Sequence, residues 1–136
     1  MNTFLVNVST IIFDGKNRVL LGLRSPNEDV FPNLWGIPGG KVDAKDKTIE
    51  EGLKREVREE MGIEIKNTKL IKNNIRIKSD GQPVIYMIFR SEIASGVPEP
   101  KEDTVKVAWF EFDKISKDKL TPSTYDAIEG SLLIVP

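Results

Sequence analysis

Residues 48–62 carry the strongest secondary-structure signal in the chain, an amphipathic helix with a defined start and end. Thr48, followed three positions later by Glu51, predicts a capping box at the start, and Gly62 is typical of the left-handed residue that ends a helix. One apolar stripe runs along the predicted helix, with members four residues apart: Ile49, Leu53, Val57 and Met61. Such a helix is stable only when its stripe is buried, so the rest of the chain must supply a packing surface.

Strand-like segments lie on both sides of this helix and favour a mixed α/β domain. Residues 4–13 and 19–24 are rich in β-branched and aliphatic residues, and the turn-forming sequence DGKNR between them predicts a hairpin. A second hairpin is predicted where IRIK and PVIYMIFRSEIA flank SDGQ, and a further strand covers 104–112. DKISKDKL and STYDAIEGSLL predict two short helices, while the Pro- and Gly-rich residues 25–47 predict a packed loop.

Length and charge are those of an ordinary soluble protein. We expect the 136 residues to form one globular domain, 1–136, because this is a common single-domain size. The net charge of -1 provides no general attraction to nucleic acids or anionic membranes, so we expect neither as a partner. No stretch approaches the roughly 20 apolar residues of a membrane span, and we expect a cytoplasmic location.

The chain contains no Cys and no His. The absence of Cys excludes disulfides, thiolate zinc sites and a cysteine nucleophile. The absence of His removes the usual base at neutral pH and every Ser-His arrangement. Carboxylates and metal-bound water are the remaining tools for hydrolysis.

Acids near the start of the helix have basic partners four residues later. Glu50 precedes Lys54 at this spacing, and Glu51 precedes Arg55. Pairs at i, i+4 stabilise an exposed helix face. We therefore expect both ion pairs, and neither needs a functional explanation.

Three glutamates near the end of the helix, Glu56, Glu59 and Glu60, lack this pattern. At about 100° per residue they share one narrow face, and Glu56 has no basic residue three or four positions away. The repulsion costs a few tenths of a kcal/mol per pair, and a divalent cation reverses its sign. Carboxylate oxygens suit Mg²⁺ or Mn²⁺. Spacing alone leaves both a metal-binding face and a solvated charged face open.

Residues 39–63, GGKVDAKDKTIEEGLKREVREEMGI, resemble the Nudix (MutT-like) signature. The second half, 55–63, matches the pattern Arg-Glu-apolar-x-Glu-Glu-x-Gly-apolar at every specified position. The LWGIPGG loop before it and the strand VAWFEFDKI near the end also resemble the family. In the first half Lys47 stands where the signature has its first Glu, and Asp46 is the acid available to replace it. Gly52 is unusual inside a helix, and close approach of another backbone is one explanation.

This resemblance implies an α/β/α sandwich with a mixed β-sheet. It also implies a metal-dependent hydrolase that cleaves the pyrophosphate linkage of a nucleoside diphosphate derivative, with Mg²⁺ or alternatively Mn²⁺ as the cofactor. The metal ligands carried over from the signature are Glu56, Glu60, Glu59 and the carbonyl of Gly39 or Gly40.

Further site residues follow from the same resemblance. Arg55 corresponds to the arginine that orients the glutamates, and Glu59 acts as a ligand or as the base. Glu102 or Asp103, before the last strand, matches the region where some members place another catalytic carboxylate; each is otherwise an ordinary loop charge.

Three residues outside the signature are candidates for substrate contact. Arg24, at the end of the second predicted strand, either contacts a substrate phosphate or is an exposed strand-end arginine. Trp35 and Phe31 either flank a nucleotide base or anchor the loop.

Several alternatives remain at this level. GIPGGK lacks the spacing of a P-loop, which excludes that class of ATPase. A non-catalytic Nudix-like sensor or interaction domain would keep the fold and bind a nucleotide without hydrolysing it. Among substrates, (deoxy)nucleoside triphosphates are the first expectation because the chain is short, while ADP-ribose, dinucleoside polyphosphates and nucleotide sugars stay open. A strand pair or the segment 132–136 could support a homodimer.

Overall fold

The computed structural model describes residues 3–111 and 113–132. Within them the chain forms seven strands, two α-helices and a short 3-10 helix at Lys117–Lys119. The strands and helices follow the order β1 Leu5–Ile12, β2 Arg18–Arg24, β3 Trp35–Gly36, β4 Gly39–Lys41, α1 Ile49–Met61, β5 Glu64–Ile77, β6 Pro83–Ser95, β7 Thr104–Glu111 and α2 Pro122–Leu132.

The strands form two sheets. A four-stranded sheet has the order β4-β1-β6-β5, and a three-stranded sheet has the order β3-β2-β7. The larger sheet is mixed, since β1 is parallel to β6 whereas the other pairs are antiparallel. The expected mixed α/β fold is confirmed.

The predicted hairpin between residues 4–13 and 19–24 is wrong. Only one bridge, Phe13 to Val19, joins these segments among the described residues, and β1 and β2 belong to different sheets. Both are largely buried apolar runs, a pattern typical of central strands with partners on each side. Accordingly β1 lies between β4 and β6, and β2 lies between β3 and β7.

Helix α1 has the predicted bounds and caps. The Thr48 side chain accepts a hydrogen bond from the Glu51 N–H at 3.0 Å, and Gly62 ends the helix with φ 68°. The whole apolar stripe packs inward, and its Leu53 and Val57 are fully buried. Capping and burial therefore fix the direction in which the opposite, acidic face points.

The two helices pack on different hydrophobic clusters. Alternation along β1 places Val8 and Ile12 in the cluster that buries the α1 stripe, and Ile11 in the cluster that contains Ile128 of α2. Side chains of one strand thus serve both layers, which gives the expected α/β/α arrangement.

The remaining expectations concern the second half of the chain. The β5–β6 hairpin and the β7 strand are confirmed, and β5 is longer than predicted because it begins directly after α1. Phe112 and residues 133–136 lie outside the described residues. None of the described helices has the length and apolar character needed to cross a membrane.

Candidate active site

Glu60, in the last turn of α1, points toward the turn that precedes β4. Its Oε2 lies 3.4 Å from the backbone N of Gly39, a long hydrogen bond. Burial raises the pKa of Glu60 to about 8, and the nearby charges of Glu56 and Glu102 act in the same direction. The Gly39 N–H and the positive charge of Arg24 lower the pKa only in part. A buried carboxyl among other acids is stabilised in its charged form by a cation.

Glu56 lies against the same turn. A side chain at Gly40 would collide with the Glu56 carboxylate, and one at Gly39 would collide with the backbone of β1. The two glycines therefore let β4 fit between β1 and the acidic face of α1. Burial raises the pKa of Glu56, while the Arg55 guanidinium lowers it.

Arg55 connects the acids of this face with the loop before the helix. Its Nη1 is 3.1 Å from Glu56 Oε1 and 3.2 Å from Glu59 Oε2. Nε and Nη2 bind the two carboxylate oxygens of Asp46 at 3.0 and 2.9 Å. Nη2 also donates to the carbonyl of Lys41 at 3.1 Å. One planar cation thus holds three acids and the end of β4 in fixed relative positions.

Of the two ion pairs expected on α1, Glu50–Lys54 forms at 3.9 Å and Glu51–Arg55 does not. The Glu51 carboxylate accepts the backbone N–H of Lys47 at 3.0 Å, while Arg55 turns to other acids. Glu56 does have a cation on its own helix, because the Arg55 side chain is long enough to reach its immediate neighbour. Spacing rules for helix faces omit such contacts between adjacent residues.

The Asp46 side chain lies beside Arg55, in the part of the signature where Lys47 stands in place of the expected Glu. Its side chain is only 7% exposed, and it also accepts the backbone N–H of Asp43 at 2.8 Å. A Cβ at Gly52 would lie 2.9 Å from Asp46 Oδ2. Gly52 therefore makes room for a carboxylate, and not for the backbone that the sequence analysis gave as one explanation.

Replacing Asp46 with Asn is expected to remove an acid-sensitive contribution to stability. The hydrogen bonds from Arg55 hold the pKa of Asp46 at about 2, below the value of about 3.9 in an unfolded chain. The ion pair therefore stabilises the fold above about pH 4 and is lost as the pH falls toward 2. We expect Asp46→Asn to melt below the wild type at neutral pH, with a gap that closes in acid.

Thermal unfolding followed by circular dichroism between about pH 2 and pH 7 measures this gap. Asp80→Asn is the control, because its side chain is 65% exposed and its nearest cation, Lys78, lies 4.0 Å away. A gap that stays constant across this range would contradict the assignment to the Asp46–Arg55 pair.

The loop between β6 and β7 brings Glu102 to the acidic face. Two backbone hydrogen bonds of 3.0 Å join this loop to carbonyls at the end of α1. Glu102 has φ 53°, a left-handed conformation that non-glycine residues seldom adopt and that is found at functional sites. Its charge raises the pKa of both Glu56 and Glu60. Glu102 and Asp103 both line a cavity of about 450 Å³ at this face.

Arg24 lines the same cavity as Glu60 of α1. Its guanidinium donates from Nε and Nη2 to the carbonyl of Val30 at 3.1 and 2.9 Å, and Nη2 is 3.5 Å from Glu28. The positive charge lowers the pKa of Glu60, which shows that it acts on the acidic face. Arg24 therefore lines the same opening as the acidic face, with its guanidinium held by the Val30 carbonyl.

The two candidate aromatic residues differ in position. Trp35 packs edge-to-face on Phe110, with ring centroids 4.8 Å apart, inside the cluster that contains Ile128. Phe31 is 47% exposed and lines the cavity. Trp35 therefore packs against a core cluster, and it is not among the residues that line the cavity.

The cavity has a volume of about 450 Å³ and joins Arg24, Glu60 and Glu102 around one opening. Its floor includes residues that the sequence analysis missed: Asn7, Ser9, Lys41 and Tyr86. A signal for two of them was present, because Asn7 and Ser9 are polar residues at alternate positions of a largely apolar central strand. Polar residues spaced by two on a buried strand indicate that one face borders a cleft.

The chemistry of the acidic face fits a hard divalent cation. Carboxylate oxygens are the donors that Mg²⁺ and Mn²⁺ prefer, and burial raises the pKa of both Glu56 and Glu60. Among residues 3–111 and 113–132, no three acidic side chains already have the spacing of an ion site. The Arg55 guanidinium binds Glu56 and Glu59 where an ion would bind. The fit to a divalent cation therefore rests on the type of donor atom and on negative charge that is not fully neutralised.

Comparison with known proteins gives a consistent result. A family model for the NUDIX domain matches residues 3–130. A nucleoside triphosphatase NudI from Enterobacter sp. (strain 638) is 28% identical over 123 residues, which cover 83% of this chain and 86% of that protein. The NudI of Salmonella typhimurium is 40% identical over 77 residues, 52% of this chain and 54% of that protein.

A solved structure supports the same relationship. The crystal structure of a MutT NUDIX hydrolase from Burkholderia pseudomallei superposes with a TM-score of 0.83 and 27% identity, covering 95% of this chain and 98% of that one. Since the family model also spans nearly the whole chain and the fold agrees, this protein belongs to the Nudix hydrolase family.

Proposed function

We propose that this Nudix hydrolase cleaves the pyrophosphate linkage of (deoxy)nucleoside triphosphates in a reaction that depends on Mg²⁺, with Mn²⁺ as a substitute. The observation that carries the proposal is the buried Glu60, whose pKa is raised to about 8 beside Glu56 and Glu102, at the edge of a cavity of about 450 Å³. A protein gains little by placing such acids together unless a cation and an anionic ligand meet there.

The proposed ligands of the ion are Glu56, Glu60 and a carbonyl of Gly39 or Gly40, with Glu59 as a further ligand or as the base, and with Glu102 as the alternative base. When bound, the ion would neutralise phosphate charge and lower the pKa of a coordinated water. Arg55 keeps Glu56 and Glu59 oriented through its link to Asp46. The protein's own contribution is therefore the placement of charge.

Substrate phosphates would enter between Arg24 and the acidic face. Arg24 lines the cavity and already influences Glu60 electrostatically, and Lys41 lines the same opening. Both cations balance the charge of a pyrophosphate group while water attacks phosphorus. The triphosphate assignment follows the names of the NudI relatives, which are nucleoside triphosphatases.

The other parts of the proposal concern the protein as a whole. One domain, 1–136, carries the activity; the partner is a small nucleotide. A homodimer and a cytoplasmic location remain predictions from the sequence.

A substrate panel with Mg²⁺ tests the proposal. Purified wild type is incubated with the eight common ribo- and deoxynucleoside triphosphates, ADP-ribose and a nucleotide sugar, and products are separated by chromatography. The matched pair of variants is Glu56→Gln and Glu50→Gln, since Glu50 lies on the same helix with its side chain 55% exposed. We expect triphosphate hydrolysis by the wild type and Glu50→Gln, and loss in Glu56→Gln.

A second readout separates metal binding from turnover. Mg²⁺ should raise the melting temperature of the wild type and of Glu50→Gln more than that of Glu56→Gln, because only an ion that binds the folded state stabilises it. Hydrolysis that is equal in Glu56→Gln and the wild type would overturn the proposed site. Preferential turnover of ADP-ribose or a nucleotide sugar would overturn the triphosphate assignment alone.

Glu102→Gln is expected to lower kcat by about a hundredfold, the usual contribution of a positioned base. The reason is that Glu102 is held beside Glu56 and Glu60 by a loop fixed to the end of α1. The Mg²⁺ dependence should change far less than kcat. Glu99→Gln is the control on the same loop, since the Glu99 side chain is 65% exposed and pairs with Lys101. Equal kcat values for the two variants would exclude Glu102 as the base.

A further inference from the structure

Ser9 lies on the floor of the cleft, on a central strand of the four-stranded sheet. Alternation along β1 puts Val8 in the cluster under α1, whereas Ser9 faces the other side of the sheet and lines the cavity together with Asn7. Strand register places Ser9 opposite Gly39 of β4 and Ile88 of β6. The Ser9 side chain therefore borders the cavity beside the turn that precedes β4.

Ser9 and the acidic face meet at the same glycine. A Cβ built on Gly39 would lie 2.7 Å from the Ser9 Cβ, so the two residues are in close contact. The backbone N–H of Gly39 donates to Glu60 Oε2 at 3.4 Å. The Ser9 hydroxyl thus belongs to the acidic end of the cleft.

The hydrogen bonding of Ser9 differs from that of the other buried polar side chains. The structure describes five such side chains, each at most 7% exposed: Ser9, Thr10, Ser91, Thr121 and Thr124. Thr10 and Ser91 share a hydrogen bond of 2.7 Å, and Thr121 donates to Thr124 at 2.7 Å. The Ser9 hydroxyl has no hydrogen-bond partner within the described part of the chain. Since buried hydroxyls are nearly always paired, this one is expected to bind a group that the chain itself does not supply.

The Ser9 oxygen is accessible to such a group. Over the described residues, Asn74 Oδ1 is the side-chain atom that is both fully shielded from solvent and unpaired, and Ser9 Oγ is not fully shielded. The open space that Ser9 borders is the cavity of about 450 Å³. A molecule in the cavity can therefore reach the hydroxyl.

The surroundings of Ser9 favour an anionic oxygen as this partner. Arg24 and Lys41 line the same cavity and attract anions to it. A serine hydroxyl has one donor that rotates toward its acceptor, and hydrogen bonds to charged groups are about twice as strong as neutral ones. The phosphates of the proposed substrate would enter between Arg24 and the acidic face, which is the space that Ser9 borders.

We propose that the Ser9 hydroxyl is a substrate contact that donates a hydrogen bond to a phosphate oxygen of the bound nucleotide. The inference rests on the proposed function and adds a residue outside the signature to its site. Ser9 then serves the ligand and contributes no hydrogen bond to the fold. Removal of the hydroxyl should lower activity without lowering stability.

Ser9→Ala tests this combination of effects. We expect kcat/KM to fall at least about tenfold, the scale of a hydrogen bond to a charged group. The melting temperature should equal or exceed that of the wild type, because no hydrogen bond within the protein is lost. Wild-type kcat/KM in Ser9→Ala, or a loss accompanied by a lower melting temperature, overturns the proposal.

Ser91→Ala is the matched control. Ser91 is a serine of the neighbouring strand β6, is only 2% exposed, and shares a hydrogen bond with Thr10. Its replacement should lower the melting temperature and leave kcat/KM at the wild-type value. An equal loss of kcat/KM in both variants would show that any buried hydroxyl of this sheet affects turnover, and would overturn a specific contact at Ser9.

The dideoxy form of the preferred triphosphate identifies the group that Ser9 contacts. This form keeps the phosphates and lacks the sugar hydroxyls. Ser9→Ala should lower kcat/KM for both compounds by the same factor. A loss confined to the compound that carries the sugar hydroxyls would assign Ser9 to the sugar and overturn the phosphate contact.

A binding measurement separates this inference from the proposed function. If no triphosphate is turned over, the proposed function fails, and titration of α,β-methylene ADP with Mg²⁺ by calorimetry decides the contact. Weaker binding to Ser9→Ala than to the wild type supports it. Equal binding to the two proteins, or binding to neither, overturns it.

Discussion

Glu60→Gln is expected to lower kcat by about a thousandfold and, in the absence of metal, to raise the melting temperature. The two effects have one cause, the burial of a carboxyl whose pKa is raised to about 8. The amide removes a negative charge and an oxygen donor, which weakens ion binding and substrate positioning. A thousandfold loss corresponds to about 4 kcal/mol on the activation barrier.

The gain in stability follows from the same burial. At neutral pH the fold must either desolvate the Glu60 charge or take up a proton, and glutamine avoids both at nearly equal volume. We expect the free energy of unfolding in EDTA to rise by about 1–3 kcal/mol. Functional sites often oppose stability in this way.

Denaturant unfolding in EDTA and steady-state kinetics with Mg²⁺ measure the two effects on the same preparations. Glu50→Gln is the control, because the Glu50 side chain is 55% exposed and its carboxylate lies 3.9 Å from Lys54. It should change neither quantity. If Glu60→Gln lost stability and kept activity, Glu60 would be a structural residue and the proposed ion site would be wrong.

The features predicted best from the sequence are those that depend on residues close together in the chain. The bounds and caps of α1 were predicted because capping and amphipathic spacing act within a few residues. The acidic face followed from the same helix geometry. Recognition of the signature at 55–63 then supplied the family, which the domain match confirmed.

Contacts between distant segments could not be predicted in the same way. The β1–β2 hairpin failed because apolar runs do not specify which strands pair, and each strand found two other partners. Trp35 was a candidate for substrate contact, but its packing on Phe110 depends on a strand about 75 residues away. The alignment of Lys41, Asn7, Tyr86 and Asn74 across neighbouring strands likewise depends on the register of four strands. Local sequence patterns therefore predicted the acidic residues of the candidate site. The cleft around them depends on the pairing of strands that are distant in the sequence.

Arg55→Lys is expected to lower kcat by about a hundredfold although it keeps the positive charge. Arg55 binds Asp46 through Nε and Nη2, while Nη1 holds Glu56 and Glu59. A lysine offers one ammonium group and cannot hold separate acids in a fixed plane. The acids would then adopt several orientations, and a hundredfold loss corresponds to about 2.7 kcal/mol on the barrier.

A positioning role for Arg55 has consequences that a purely structural role lacks. Arg58→Lys is the matched control: Arg58 lies on the same helix and binds Glu64 through two hydrogen bonds of 2.7 and 2.8 Å, at an exposed site. Its kcat should equal that of the wild type. Arg55→Lys should also require more Mg²⁺ for half-maximal activity, because disordered carboxylates bind an ion less tightly.

The link through Asp46 gives the sharpest test of this arrangement. If Asp46 acts on the glutamates only by holding Arg55, the double variant with Asp46→Asn and Arg55→Lys should be no less active than Arg55→Lys alone. Residues that act through one contact show such non-additivity, whereas independent effects multiply. Multiplied losses in kcat would show that Asp46 reaches the site by another route. A wild-type Mg²⁺ requirement and kcat in Arg55→Lys would show that charge alone suffices at this position and that the planar guanidinium does not orient the acids.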